Sequence, residues 1–193
     1  MFKIADFKVC VPKSVVHRAR DFAQALTDLR LPLYQRRNTN TSREKVYDDI
    51  FFGKLGEEAA RAYVESCGEA CTKVDYSIHD NPNFLRADLY CEEEGIFVKV
   101  ANQHCESEIG RGNKHPWASF VVQADREQYS ASHFIGAVVS KGKCHPKGLS
   151  AGVILSADMA SVVPLLRATR NNMGGKRAVY MGDVYKILAG KAA

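Results

Sequence analysis

The chain has 193 residues, 46% of them hydrophobic, which is enough to bury one sizeable core and too little for two full domains. Lys and Arg outnumber Asp and Glu by 27 to 22, a formal net charge of +5 that permits a polyanionic partner without requiring one. The opening Met1-Phe2-Lys3-Ile4-Ala5-Asp6 lacks the basic start and apolar run of a secretion signal, and no segment approaches the roughly 18 apolar residues of a membrane helix, so a soluble, cytoplasmic protein with no membrane partner is expected.

Residues 12 to 30 put Val15, Val16, Ala19, Phe22, Ala23, Leu26 and Leu29 on one helical stripe, with Pro12 suited to the first turn and Leu31-Pro32 closing the run. Gln35 to Asn40 reads as a polar loop, in which Arg36 and Arg37 either touch phosphates or are solvated surface charges. Residues 1 to 40 are thus expected to form a helical extension of a single domain spanning 1 to 193. Thr41 to Glu44 matches a capping box and starts a second helical stretch that runs to about Ser66. Gly53 and Gly56 mark a kink or a break in it, and Gly68 marks its end.

Beyond Gly68 the period changes from helical to alternating, and Thr72 to Ile78 reads as a strand. His79 to Asn83 reads as a turn. Strands at about 85 to 91 and 96 to 101 are separated by Glu92-Glu93-Glu94-Gly95, a link short enough for a hairpin. Further strands are expected near 117 to 123, 134 to 140, 151 to 155 and 177 to 181, with helices at 157 to 170, where Pro164 marks a start or kink, and 183 to 189. Lys141 to Gly148 reads as a mobile loop. Helix, helix, a run of strands, then strand and helix again suits an α/β core with a mixed central sheet.

Six cysteines in a domain of this size are expected to be free thiols. Cys67 and Cys71, His104-Cys105 and Cys144-His145 supply soft ligands for zinc, but their spacing matches no ribbon or finger.

The chemistry concentrates in the hairpin. Ile96, Val98 and Val100 point one way, and Phe97, Lys99 and Ala101 the other. In the preceding strand Ala87, Leu89 and Cys91 take the core side, leaving Arg86, Asp88 and Tyr90 opposite. Asp88 and Lys99 then share one face, either as a surface cross-strand pair or as a carboxylate for magnesium beside an ammonium for phosphate or water.

Gly53-Lys54-Leu55-Gly56-Glu57 on a helix that ends at Gly68, Ala87-Asp88-Leu89 opening a strand before a turn, and Lys99 on the strand after it together resemble the PD-(D/E)XK nuclease superfamily. Its members have the fold of restriction endonucleases and Holliday-junction resolvases. The resemblance covers roughly residues 43 to 103 and departs from the family at two places. Ala87 stands where the proline is usual, and the third motif lacks its acid. Aligned on Phe97-Val98-Lys99, phenylalanine replaces the acid; aligned on Lys99-Val100-Ala101, lysine replaces the acid and alanine the lysine. A carboxylate relocated from Asp75, Glu92 to Glu94, Glu106 or Glu108 would restore it, or Glu57, Asp88 and substrate oxygens would suffice, since magnesium keeps several waters.

The resemblance implies an α/β, restriction-endonuclease-like mixed central β-sheet flanked by helices. It also implies a Mg2+-dependent endodeoxyribonuclease, with Mn2+ as a substitute, acting on DNA as a homodimer. Glu57, Asp88 and Lys99 would be catalytic, with Asp88 and Glu57 holding the metal. Helical periodicity places Glu58 nearer the apolar stripe, whereas the family spacing selects Glu57. Lys141, Lys143 and Lys147, with Arg36 and Arg37, are the expected nucleic-acid contacts. Arg111, Lys114, Arg167, Arg170, Lys176 and Arg177 join them if they converge, or are scattered solvated charges. The alternative implied by the missing acid is an inactive member of the same fold that binds DNA or a protein.

Overall fold

Two apolar stripes of helical period and a series of alternating ones sort the chain into layers. The computed structural model of the protein describes residues 2–37, 39–78, 87–101, 119–122, 131–145, 148–168 and 177–190. Strand β1 (Phe2–Pro12) leads into helices α1 (Lys13–Arg37) and α2 (Arg43–Ser66). Strands β2 (Leu89–Cys91), β3 (Glu94–Ala101), β4 (Ser119–Val122), β5 (His133–His145) and β6 (Gly148–Asp158) follow. The C-terminal part holds a short helix α3 (Met159–Val162) continued by a 3-10 turn, then β7 (Arg167–Ala168), β8 (Arg177–Tyr180) and α4 (Met181–Leu188).

The central sheet is mixed and open, five strands in the order β1-β6-β5-β3-β2. All neighbours are antiparallel except β3 and β5, which run parallel with Lys99 opposite Gly136. A parallel neighbour needs a crossover rather than a tight turn, and the chain between Ala101 and His133 supplies it. Helices α1 and α2 cover one face. Ala60, Tyr63 and Val64 of α2 pack on Leu89, Ile96, Val98 and Ile135, while Ala19 and Ala23 of α1 join Leu55 and Ala59 of α2 against Val11, Val139 and Ala151. On the other face lies a three-stranded sheet in the order β4-β8-β7, with α3 and α4, whose Phe120, Val162, Val179 and Val184 close on Phe97, Phe134 and Leu155. The molecule is therefore α/β, with helices on one side of the sheet and a smaller α/β layer on the other.

Several local expectations shift. Residues 2–12 do not belong to a helical extension; they form an edge strand paired with β6. Ala5 and Val11 are buried and Phe7 and Val9 half-buried, a period of two that an irregularity between Ile4 and Phe7 interrupts. Helix α1 continues through Pro32 to Arg37, so Gln35–Arg37 is helical rather than a loop. The cap of α2 is Ser42, not Thr41: its hydroxyl accepts from Lys45 N–H at 3.1 Å. Helix α2 is unbroken, because Gly56 serves close approach rather than flexibility: a Cβ there would run into Val100 Cγ2, and its absence lets the helix lie on the sheet.

Residues 69–78 are irregular, although Thr72 N–H donates to Tyr90 C=O at 2.8 Å, a single rung beside β2. Lys141–His145 belongs to β5 rather than to a loop, and the helix expected over 157 to 170 is limited to α3 and its 3-10 turn, with β7 following. The expected turn at 79 to 83 lies outside the described residues, as do Arg86, Trp117 and the acids Glu106 and Glu108. No helix among the described residues is long and apolar enough to cross a membrane.

Candidate active site

Three elements remote in sequence bring charged groups to one place. Glu57 sits just past the close approach of Gly56 to β3, so the contact that seats α2 also fixes where the next side chain emerges. Asp88 immediately precedes β2. Its backbone N–H donates to Ile96 C=O at 3.0 Å, and its carboxylate Oδ2 accepts from Val98 N–H at 2.7 Å. The side chain thus takes up a ladder donor of β3 and is locked beside that strand. Lys99 lies one residue farther along β3, its ammonium 3.9 Å from the centre of the Phe97 ring.

A fourth group joins them from α2. Lys54 Nζ donates to Glu57 Oε2 at 2.7 Å, one helical turn away, and the two side chains are only 15% and 12% exposed. The ammonium also lies 5.3 Å from the ring centre of Phe22 on α1 and 5.8 Å from that of Tyr76.

The electrostatics follow from burial. Loss of solvent, then the neighbouring Asp88 charge, pushes the Glu57 carboxyl up to about 8, against the opposing pull of Lys54 and Lys99. Burial also raises Asp88, with Lys99, the Val98 N–H and Lys54 holding it down. Two carboxylates close enough to repel are therefore poorly solvated and balanced by two ammonium groups. Among the described residues no cluster of three or more His, Cys, Asp or Glu is arranged to hold a metal. A hard cation that retains most of its water needs fewer: magnesium is commonly held by one or two carboxylates plus substrate oxygens. Lys54 takes Oε2 of Glu57 and the Val98 N–H takes Oδ2 of Asp88, so Oε1 and Oδ1 are the atoms that would face such an ion.

Glu58, the other candidate on α2, is only 7% exposed and has a different environment. Arg18 Nη2 donates to its Oε1 at 2.9 Å, Tyr76 OH to the same oxygen at 3.1 Å and Arg61 Nε to its Oε2 at 3.3 Å. Arg18 lies over the Tyr76 ring at 4.3 Å, and Phe22 meets that ring edge-on. Burial, then the Glu58 charge, pushes the Tyr76 hydroxyl upward, which keeps it protonated as a donor. Periodicity correctly marks Glu58 as inward, and it is Glu57 that meets Asp88.

Of the expected nucleic-acid contacts, Arg36 is exposed near the end of α1, eighteen residues from Arg18 and so about 27 Å along the helix. Arg37 is the last residue of α1. Lys141 and Lys143 lie on β5, five and seven residues past Gly136, the partner of Lys99. Lys147 is outside the described residues, as are Arg111, Lys114, Arg170 and Lys176. Arg167 pairs instead with Asp183.

None of the described candidates for a relocated acid joins the pair. Glu94 faces Ser132 and His133, Asp75 caps the N–H of Ser77, and Glu92 and Glu93 are exposed in the hairpin turn. Cys10, Cys67, Cys71 and Cys91 are free thiols, and the zinc grouping extends to His104 and Cys105, outside the described residues. Lys54 and Arg18 were missed in the sequence. The signal for Lys54 is its place three residues before Glu57 on one helix; none marks Arg18, whose partner is forty residues away. No protein-family model, curated protein or solved structure matches this chain.

Proposed function

We propose that the chain is a Mg2+-dependent endodeoxyribonuclease of the restriction-endonuclease-like fold, hydrolysing DNA phosphodiester bonds at the Glu57, Asp88 and Lys99 centre. The observation that carries this reading is the convergence of two mutually repelling carboxylates, Glu57 largely covered and Asp88 half-buried, with an ammonium from the neighbouring strand. Buried like charges are costly and persist where a cation or a reaction uses them. A glutamate helix laid over a hairpin that presents an aspartate and a lysine, followed by a strand parallel to the hairpin's second arm, supports the fold assignment.

Bound at Glu57 and Asp88, magnesium, or manganese in its place, would supply an activated water and neutralise charge on the leaving oxygen. Asp88 holds its side of the site rigid through the Val98 N–H. Glu57 faces it from the helix, and Lys99 reaches the scissile phosphate or the attacking water. Arg36, Arg37, Lys141, Lys143 and Lys147 supply outer phosphate contacts, and a homodimer places one site on each strand of a duplex. Supercoiled plasmid incubated with Mg2+, then with Mn2+, is expected to be nicked or linearised by the native chain and left intact by Asp88→Ala. Equal cutting by both proteins would remove Asp88 from the site.

One observation favours a second reading, a catalytically inactive DNA-binding or protein-interaction module of the same fold. Phe97, 4% exposed, occupies the place of an acid and packs into the core with Phe120 and Phe134, so no carboxylate approaches from that position. This reading expects salt-sensitive duplex binding with no nicking under either metal.

A further inference from the structure

The Lys54–Glu57 pair is unusual for neighbours on a helix. Such pairs normally lie in solvent and are worth a few tenths of a kcal/mol. Here both side chains are almost covered, and the ammonium is 2.7 Å from a carboxylate that the proposed function assigns to the metal. A charge count explains why the arrangement is tolerable. Glu57 and Asp88, when ionised, contribute two negative charges; Lys54 and Lys99 contribute two positive ones. The centre is neutral with no metal in it, and a divalent cation entering it alone brings two uncompensated charges into a poorly solvated space.

Resting on the nuclease reading, we propose that Lys54 is the resident counter-ion of the centre: its ammonium holds the Glu57 oxygen that a divalent cation would otherwise claim, and passes to the DNA phosphate when metal and substrate bind together. Aromatic rings beside it give it a place to go. Lys54 is tethered on α2 within a turn of Glu57, and the ring centres of Phe22 and Tyr76 lie 5.3 and 5.8 Å from its nitrogen, so the ammonium keeps favourable contacts after leaving the carboxylate. Arg18, which also stacks on Tyr76, is committed to Glu58 and does not compete for Glu57. Metal and phosphate then enter cooperatively, because each restores the neutrality that the other disturbs. Lys54 acts here as a positioning residue, through Glu57.

The test is Mg2+ binding in the absence of nucleic acid, by calorimetry at pH 9, on the native chain, Lys54→Met, Lys54→Arg and Asp88→Ala, each checked for folding by its thermal melt. Removing a positive charge from beside the metal is expected to tighten Mg2+ binding by about tenfold in Lys54→Met. Lys54→Arg retains the native affinity. In plasmid cleavage Lys54→Met turns over more slowly at saturating Mg2+, since the phosphate has lost its partner. Lys54→Gln, which keeps a donor to Glu57 without the charge, serves if the methionine variant does not fold, with the same expectation for Mg2+. Unchanged or weaker Mg2+ binding in the folded neutral variants overturns the inference and leaves the nuclease reading intact. Absence of any Asp88-dependent Mg2+ binding, together with uncut plasmid, overturns both.

Discussion

Glu58 is met by donors from three parts of the chain, Arg18, Arg61 and Tyr76, whereas its neighbour Glu57 meets one lysine of its own helix and a second carboxylate. Both are nearly out of solvent on adjacent positions of α2. The first arrangement satisfies a buried charge completely and ties α1, α2 and the segment after it together. The second leaves like charges facing each other, with burial lifting both carboxyls above their ordinary range. A carboxylate met by three fixed donors is architecture; two that face each other and are balanced only by lysine ammoniums are a place for an incoming charge.

The sharpest way to break this comparison is to remove each acid and read both activity and stability. Glu57→Ala is expected to lower Mg2+-dependent plasmid cleavage by about a thousandfold, or about 4 kcal/mol of transition-state stabilisation, while the folded state persists. Glu58→Ala should do the reverse. Losing the shared acceptor strands Arg61 and Tyr76, and urea denaturation should show a loss of about 2 to 3 kcal/mol, below the full value for a buried pair because Arg18 is 55% exposed. If Glu57→Ala proved the more destabilising of the two, the division of labour would be wrong.

A further effect separates the two by pH. Because Glu57 binds its proton more tightly folded than unfolded, the folded chain holds more protons between about 4.5 and 8, and stability falls as pH rises through that window. The slope from this group cannot exceed about 1.4 kcal/mol per pH unit. Thermal melts without metal should decline from pH 5 to pH 8, and Glu57→Gln should flatten the decline. A native slope unchanged in that variant would mean that burial does not act on Glu57 as described. The smallest effect is that of an exposed ion pair: Arg43→Ala, which removes the two bonds to Asp28 between α2 and α1, should leave the urea midpoint almost unchanged.

The hairpin was legible because Leu89, Cys91, Ile96 and Val98 alternate onto the helix side, although Ala87, expected with them, packs instead against the Phe97 and Phe134 cluster on the opposite face. Leu89 and Ile96 face the helices, Asp88 lies across from Phe97, and the acidic turn is too short for any other connection. The register that places Asp88 beside Lys99 follows from those few residues. Strand β1 was hidden by its irregularity between Ile4 and Phe7 and by exposed Ile4 and Cys10, which blur the period of two. The continuity of α2 was hidden because a glycine inside a helix reads as a weakness until its neighbour is known; Val100 is that neighbour. The cation network around Glu58 depends on α1 lying antiparallel to α2, with Arg18 near Glu58 and Asp28 near Arg43, and no local pattern encodes that pairing.

The bond from Val98 N–H to Asp88 Oδ2 has one more consequence. A main-chain amide inside the sheet is wired directly to the carboxylate on which the chemistry is proposed to depend. Any change in the electron density of that oxygen is felt at a single peptide nitrogen, which makes the Val98 amide resonance an intrinsic, label-free gauge of occupancy, readable in solution during a titration.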